Sequence, residues 1–251
     1  MLVALATGRR RDLADDARRI LRASPIPPRL ETPERIPAEG PIIVVANHYE
    51  RPGLWNVWGT VLISQAVASR RRGQAPCWVM ADDWPGFRLA GIPLPATLVR
   101  WTYRRLAHCY GFVQLPLRPP EVAGRARALR AAARLLVSGT APAALGYFPE
   151  GDVSEALVEA RPGSGSALLL LSRREVPLVP MGVYEGEGAL TLTIGEPFRL
   201  AIPDGLPRER QDDAARRRVM LAIGRLLPPS LWGFYTEDLT RPDGRSAEIS
   251  A

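Results

Sequence analysis

The sequence predicts an α/β fold, a single domain in which a mainly parallel sheet is flanked by helices. Short runs of β-branched and apolar residues alternate along the chain with longer segments of helical periodicity. The run at residues 41–46 is apolar throughout, which is typical of a strand buried on both faces. Strands of this kind belong to parallel sheets, because helices cover both sides of such a sheet.

The N-terminal part of the chain precedes the predicted core. Residues 11–24 have the spacing of a short amphipathic helix, and prolines at positions 25, 27 and 28 end it. A linker rich in proline and glutamate then runs to Gly40. We therefore expect an N-terminal amphipathic helix and linker over residues 1–35, the α/β domain over residues 36–240, and a frayed polar tail over residues 241–251.

Further strands and helices alternate after residue 46. We expect strands at residues 76–81, 112–115, 143–148, 176–183 and 189–194. Helices are expected at residues 54–69, 121–139, 163–174 and 207–227. Residues 82–111 mix aromatic and arginine side chains, and two prolines divide them into predicted short helices. This mixture fits a membrane interface and an ordinary helical layer over the sheet equally well.

The basic charge of the protein comes from arginine alone. All 33 basic residues are Arg, the net charge is +7, and these residues fall in several separate clusters. Nucleic-acid binders concentrate their charge on one face, so we do not expect a nucleic-acid partner. An anionic membrane surface or a phosphorylated, CoA-like ligand is compatible with this charge.

The apolar segments of the sequence are short. No window reaches the ~20 apolar residues needed to cross a bilayer, and the apolar N-terminus is too short for a signal-peptide core. We therefore expect a cytoplasmic protein. The two cysteines, Cys77 and Cys109, lack metal-ligand spacing and are expected to be reduced and buried.

Three chemically useful side chains follow predicted strands. His48, Arg118 and Glu150 each stand just beyond a strand end. The carboxyl ends of parallel strands gather at one edge of a sheet, so we expect the three residues to surround one cleft. A histidine base can take a proton from a hydroxyl, and an arginine can hold a phosphate or a carboxylate. For Arg118, a surface ion pair is an equally good interpretation.

Other reaction classes find less support in the sequence. There is no Gly-x-Ser-x-Gly elbow of the kind that presents a nucleophilic serine. Residues 163–166, Gly-Ser-Gly-Ser, open a predicted helix but lack the lysine of a P-loop. We therefore favour acid–base chemistry at His48.

The order of the motifs resembles that of the lysophosphatidate (glycerolipid) acyltransferase family. Asn47-His48 resembles the start of its N-H-x-x-x-x-D block, and Phe148-Pro149-Glu150-Gly151 resembles its F-P-E-G block. Residues 115–118, Leu-Pro-Leu-Arg, are similar to a shortened form of the second block, and residues 176–180 are similar to the fourth. The resemblance covers roughly residues 36 to 200, and four motifs in order make it specific.

The resemblance implies a role for each matching residue. His48 is the general base that removes a proton from the acceptor hydroxyl, and the alkoxide attacks the thioester of acyl-CoA or acyl carrier protein. Arg118 holds an anionic headgroup, while Glu150 and Gly151 shape the acceptor pocket. The remaining substrate-binding residues implied by the motifs are Asn47, Phe148, Pro149 and Arg161. The acyl donor is a co-substrate, and neither a metal nor a cofactor is implied.

Two positions depart from the family pattern. Gly53 stands where the family has the aspartate that orients the base, and Glu50 is the nearest acid in sequence. Glu50 can replace that aspartate only if residues 49–52 form a turn, and we take it as the second catalytic candidate. Asp152 follows the Phe-Pro-Glu-Gly motif where the family usually has Thr-Arg, which places a negative charge near the expected phosphate site.

The sequence therefore leads to two hypotheses. The first is an acyltransferase that is peripheral to the inner face of the cell membrane and acts on a lipid acceptor. The second is a non-catalytic lipid- or acyl-binding protein with a degenerate active site.

Overall fold

A computed structural model describes residues 2–84, 86–89, 91–116, 122–137, 143–203 and 205–241. The strands are β1 (Pro28–Glu31), β2 (Ile42–Ala46), β3 (Cys77–Ala81), β4 (Arg88–Leu89), β5 (Ile92–Pro93), β6 (Val113–Leu115), β7 (Ala144–Tyr147), β8 (Leu178–Gly186) and β9 (Ala189–Ile194). The helices are α1 (Leu2–Thr7), α2 (Leu13–Leu21), α3 (Val57–Arg70), α4 (Ala96–Tyr110), α5 (Val122–Val137), α6 (Ser164–Leu171), α7 (Arg208–Gly224) and α8 (Thr236–Thr240).

In the described part of the chain, seven strands form one sheet in the order β1-β9-β8-β2-β7-β3-β6. Neighbouring strands run parallel except for the hairpin β8–β9. That hairpin turns at Glu187 and Gly188, whose φ angles of 51° and 72° are typical of a two-residue turn with both central residues left-handed. The predicted α/β fold with a mainly parallel sheet is confirmed.

Strand β2 lies at the centre of the sheet and contributes to both hydrophobic cores. Its five residues are fully buried. Ile43 and Val45 pack on the face that carries α5, α6 and α7, whereas Ile42, Val44 and Ala46 pack on the face that carries α3. Side chains alternate across a strand, so an apolar residue at every position serves both faces. This double burial fixes the strand that carries His48 at its end.

The structure differs from the sequence prediction in the supposed linker. Residues 28–31 form the edge strand β1, which pairs parallel with β9. Proline is compatible with an edge strand because no neighbour on that side needs its missing N–H. The prolines suggested a linker, and the pairing that overrides them depends on β9, which lies far away in sequence.

The segment from residue 82 to residue 111 also differs from its prediction. It forms a separate antiparallel hairpin, β4–β5, followed by the 15-residue helix α4. Pro93 lies in β5 and Pro95 immediately precedes α4, so the prolines start the helix rather than divide it. Gly111, at φ 73°, ends α4 in the left-handed conformation.

Candidate active site

The carboxyl ends of β2, β7 and β3 lie next to one another at one edge of the sheet. His48 follows β2 and Glu150 follows β7, and the backbone N–H of His48 donates to Glu150 Oε2 over 2.7 Å. The prediction that these two residues share one edge is confirmed. Arg118, the third predicted member, lies outside the described residues.

Asn47 is buried and fixes the end of β2 to β8. Its Nδ2 donates to the carbonyl of Val183 over 2.8 Å, and its Oδ1 accepts from the N–H of Val183 over 2.7 Å. Both polar ends of the side chain are therefore used within the protein. This geometry corrects the expectation that Asn47 binds substrate, because the amide instead sets where His48 leaves the sheet.

The imidazole of His48 is the outer member of a stack of three rings. Phe148 lies 4.2 Å from it between ring centroids, at an interplanar angle of 13°. Trp78 on β3 stacks in turn on Phe148 at 4.6 Å and 8°, and its Nε1 donates to Ser64 Oγ. The Trp78 ring lies across β7 at Gly146, where a Cβ atom would come within 2.4 Å of it. The plane of the imidazole is thus fixed by core side chains.

Burial controls the protonation of His48. Desolvation lowers the pKa of His48 from 6.5 to about 4, and the backbone and charge of Asp152 oppose this shift only in part. At neutral pH the ring is uncharged and keeps a lone pair on one nitrogen. That is the state a general base requires.

The two imidazole nitrogens differ in their surroundings. The side-chain Nδ2 of Asn56 lies 3.0 Å from Nε2. Nδ1 is buried and makes no hydrogen bond with any residue that the structure describes. Nε2 is therefore the nitrogen with a polar neighbour, and that neighbour stands at the start of α3.

Glu150 ties together two backbone segments. It is 2% exposed, its Oε2 accepts from the N–H of His48, and its Oε1 accepts from the N–H of Val158 over 3.0 Å. Burial raises the pKa of Glu150 from 4.5 to about 7, and the two N–H bonds counteract that rise. A carboxylate so enclosed does not line a pocket. The expectation that Glu150 shapes the acceptor site directly is corrected to a role in holding the His48 backbone.

Gly151, Asp152 and Arg161 form a compact loop beside the stack. Gly151 has a φ of 65°, and a Cβ atom there would lie 2.6 Å from Arg161 Cδ. The Arg161 guanidinium pairs with the Asp152 carboxylate at 2.6 Å, and both side chains are about half exposed. Backbone N–H of Arg161 also donates to the carbonyl of Pro149. The negative charge of Asp152 is therefore balanced within the loop.

Glu50 does not orient the imidazole. Its Oε2 accepts from the backbone N–H of Asn56 over 3.1 Å, and across the described ranges no hydrogen bond joins it to His48. Residue 49 pairs with Ser154, so the turn comes later, at Pro52 and Gly53. The prediction that Glu50 takes the place of the orienting aspartate is wrong because this later turn directs its carboxylate to the start of α3.

Four side chains near this edge were missed by the sequence analysis: Asp83, Tyr103, Trp78 and Asn56. Asp83 follows β3, is 2% exposed, and pairs with Arg100 Nε at 3.2 Å. Burial, aided by the charges of Asp83 and Glu50, raises the pKa of Tyr103 on α4 to about 12. Asp83 follows a strand end, which is the signal that found His48. Trp78 and Asn56 carry no comparable signal.

The glycine-rich start of α6 is filled by the protein itself. The Asp212 carboxylate on α7 accepts from the N–H groups of Gly163 and Ser166 over 2.9 and 2.6 Å. Gly165 permits this approach, since a Cβ atom there would lie 2.1 Å from the Asp212 carbonyl oxygen. The helix start that resembles a phosphate cradle therefore already holds an anion. Within the described ranges, no three His, Cys, Asp or Glu side chains are grouped to hold a metal ion.

Comparisons with known proteins bear on the family and the fold of the chain. The sequence model described as Acyltransferase matches residues 28–184, more than half of the chain. No curated protein matches the sequence significantly. Among solved structures, the chain is similar to the 1-acyl-sn-glycerophosphate (LPA) acyltransferase PlsC from Thermotoga maritima. The TM-score is 0.50 and the identity 22%, over 85% of this chain and 78% of that chain.

A mainly parallel sheet that presents a neutral histidine at the end of its central strand defines an α/β protein with a candidate acid–base site. The match over residues 28–184 goes further: the chain belongs to the acyltransferase family. The acyltransferase family that the motifs indicated is thereby confirmed, and the likeness to PlsC agrees with the α/β fold.

Proposed function

We propose that this protein transfers a fatty acyl group from an acyl thioester to a hydroxyl of a lysophospholipid or a related lipid acceptor. The donor is acyl-CoA or acyl carrier protein. One observation carries the proposal: His48 is a neutral, stacked imidazole at the end of the central strand. It stands in the first motif of a chain that belongs to the acyltransferase family.

The chemistry needs one base and no cofactor. His48 takes the proton of the acceptor hydroxyl as the oxygen attacks the thioester carbonyl. The new C–O bond forms, the C–S bond breaks, and the proton passes from the imidazole to the departing thiolate sulfur. A neutral imidazole can accept that proton at pH 7, whereas an imidazolium has no lone pair to do so.

A lipid acceptor is supported by apolar side chains around the site. Trp55 is 53% exposed and Val57 39%, and they flank Asn56 at the start of α3. On α4, whose Tyr103 feels the charge of Glu50, Leu98 and Trp101 are also exposed. Exposed aromatic and aliphatic residues around a site are typical of surfaces that meet a membrane.

An anionic membrane surface is the partner we propose for this face. Arg104 and Arg105 on α4 add positive charge beside Trp101, and the Arg105 guanidinium lies 5.7 Å from the Trp101 ring centroid. None of the described helices is long and apolar enough to cross a bilayer. We therefore propose peripheral binding at the cytoplasmic face, with Arg118 and Arg161 as the candidate headgroup ligands.

Transfer of a labelled acyl group tests the proposal directly. Full-length protein is incubated with acyl-CoA or acyl carrier protein and a panel of lysolipids and neutral polyol lipids, with His48→Ala as the matched control. We expect an acylated lipid from wild type alone. Preference for phosphate-free acceptors would remove Arg118 and Arg161 as headgroup ligands without removing the transferase.

One observation favours the alternative of a non-catalytic binding protein. Gly53 stands in place of the orienting aspartate, and in the described structure no carboxylate contacts the imidazole. A protein of this kind binds labelled acyl-CoA or lysolipid but produces no acylated lipid with any acceptor. That combination in the transfer assay would replace the enzyme by the binding protein.

A further inference from the structure

Asn56 holds an unusual position at the start of α3. Asparagine before a helix normally uses its side chain to cap the first free N–H groups, yet here the side chain makes no capping hydrogen bond. Its Nδ2 lies 3.0 Å from His48 Nε2 instead. The residue is half-buried, between the exposed side chains of Trp55 and Val57. The amide is thus directed at the base from a segment whose neighbouring side chains are exposed.

The backbone of Asn56 is held from both sides. Its N–H donates to Glu50 Oε2, and its carbonyl accepts from Thr60 N over 3.0 Å and Thr60 Oγ1 over 3.1 Å. The backbone of Asn56 is therefore fixed, while its side-chain amide can still rotate. This gives Glu50 a place in the site after all, as the group that anchors Asn56.

The ring proton of His48 decides what the contact with Asn56 means. An Nδ2 group only donates, so Nε2 must carry the lone pair and Nδ1 the proton. The charge of Asp152, which is paired with Arg161, acts on the ring, whereas Glu150 binds the His48 backbone and Glu50 binds the N–H of Asn56.

We propose that Asn56 is the donor half of the acceptor-hydroxyl subsite, with His48 Nε2 as its acceptor half. An alcohol both donates and accepts, and this pair offers one group of each kind. The two bond to each other in the empty site and separate to admit the hydroxyl. Its O–H then donates to Nε2 while its oxygen accepts from Asn56 Nδ2. The inference rests on the proposed function and names a residue that the family motifs do not contain.

The same hydrogen bond assists the reaction itself. As the proton moves to Nε2, negative charge develops on the acceptor oxygen, and the Asn56 N–H is already directed at that atom. The exposed Trp55 and Val57 on either side are placed to contact the hydrocarbon of a lipid acceptor. Asn56 is accordingly a catalytic residue that touches the reacting hydroxyl.

Two substitutions, one that removes the amide and one that replaces it with a carboxylate of the same size, separate this role from mere orientation of the ring. Asn56→Ala removes the donor and should lower kcat/KM by about 10²- to 10³-fold. Asn56→Asp places an acceptor there, which draws the ring proton to Nε2 and blocks the base, so it should lower kcat/KM at least as much. If Asn56 only oriented the ring, Asn56→Asp would supply an orienting carboxylate from another position and match or exceed wild type. That result, or an unchanged Asn56→Ala, would overturn the proposal.

A spectroscopic test does not depend on turnover. In ¹⁵N-labelled wild type at pH 7, the neutral His48 ring should carry its proton on Nδ1, and His108→Gln assigns the signals because only two histidines are present. A proton on Nε2 would overturn the subsite. If wild type transfers no acyl group, the proposed function fails, while the position of this proton still decides the inference.

Discussion

Two carboxylates near the same sheet edge have opposite roles. Glu150 is 2% exposed, and each of its oxygens binds a backbone N–H. Glu50 is half-buried, and among the described residues its carboxylate binds only the backbone N–H of Asn56, beside the exposed Trp55. We call the first region, the ends of β2 and β7 with Asn47 and Glu150, the inner half of the site. The outer half comprises residues 53–57 and the start of α4.

The difference shows that the inner and the outer half of the site have different functions. In the inner half, the side chains of Asn47 and Glu150 hold backbone groups and so fix the position of His48. In the outer half, Asn56, Trp55 and Val57 retain surface that a ligand can contact. The familiar motifs lie in the inner half, and the proposed contacts with the acceptor lie in the outer half.

Removing the base should have the largest effect on transfer. His48→Ala is expected to lower the rate of acyl transfer by about 10²- to 10⁴-fold, because His48 is the general base of the proposed mechanism. Initial rates with labelled acyl-CoA measure it. His108→Ala is the control, since His108 is exposed on α4 and outside the site. Equal losses in the two variants would contradict the assignment of His48.

Two residues of the inner half should affect how the stability of the protein depends on pH. The folded protein holds a proton on Glu150 up to about pH 7, whereas the unfolded chain releases it near 4.5. This group therefore makes the free energy of unfolding fall as pH rises from about 4.5 to 7. His48, with a pKa of about 4 folded and 6.5 unfolded, makes it rise from about pH 4 to 6.5. Glu150 and His48 therefore contribute slopes of opposite sign to the dependence of the unfolding free energy on pH.

Single substitutions should separate the two slopes. Glu150→Gln removes the falling contribution, so its stability relative to wild type should increase from about pH 4.5 to 7, by up to about 3 kcal/mol. His48→Ala should show the reverse over about pH 4 to 6.5, by less because the ring is partly exposed. Urea unfolding at several pH values measures both. Parallel curves for wild type and Glu150→Gln would show that Glu150 titrates normally in the folded protein.

The outer half should govern binding to lipid. Replacing Trp55 and Trp101 by serine is expected to weaken binding to anionic vesicles several-fold, because each ring is about half exposed and available to the interface. Co-sedimentation at low and high salt measures the change. Leu30→Ser is the matched control, since Leu30 is 40% exposed but lies on β1 at the far edge of the sheet. Membrane binding that depends neither on anionic lipid nor on the two tryptophans would contradict the proposed surface.

Restoring the family's aspartate should have the smallest effect. Gly53 has a φ of 84°, a conformation that suits glycine, so Gly53→Asp should cost about 1 kcal/mol of stability and bring no gain in transfer. Gly40→Asp is the matched control, because Gly40 has a φ of 74° and open space around it. A rise in transfer for Gly53→Asp alone would show that the loop can present a carboxylate to His48.

Much of the inner half could be predicted from the sequence. A strand apolar at every position must be buried on both faces, and the residue after it must lie at the sheet edge, which located His48. The same argument located Glu150. The hydrogen-bond partners of Glu150 could not be predicted. The N–H of Val158 lies within reach of the Glu150 carboxylate only because of the course of the loop between them.

The outer half could not be predicted because its contacts depend on tertiary geometry. Asn56 reaches His48 across a turn at Pro52 and Gly53 whose direction no local pattern encodes. The carboxylate of Glu50 looked suitable by distance along the chain, yet the same turn directs it elsewhere. The edge strand β1 was missed for a similar reason: its pairing depends on β9.

The ring stack has a consequence for how the protein responds to heat. Trp78 lies over Gly146 in the neighbouring strand and supports Phe148, which in turn supports the imidazole. The orientation of the His48 ring is therefore set by side chains of the hydrophobic core and not by a flexible surface loop. Catalytic activity and tertiary structure should consequently disappear over the same temperature interval, because the imidazole loses its support only when the β3–β7 pairing melts.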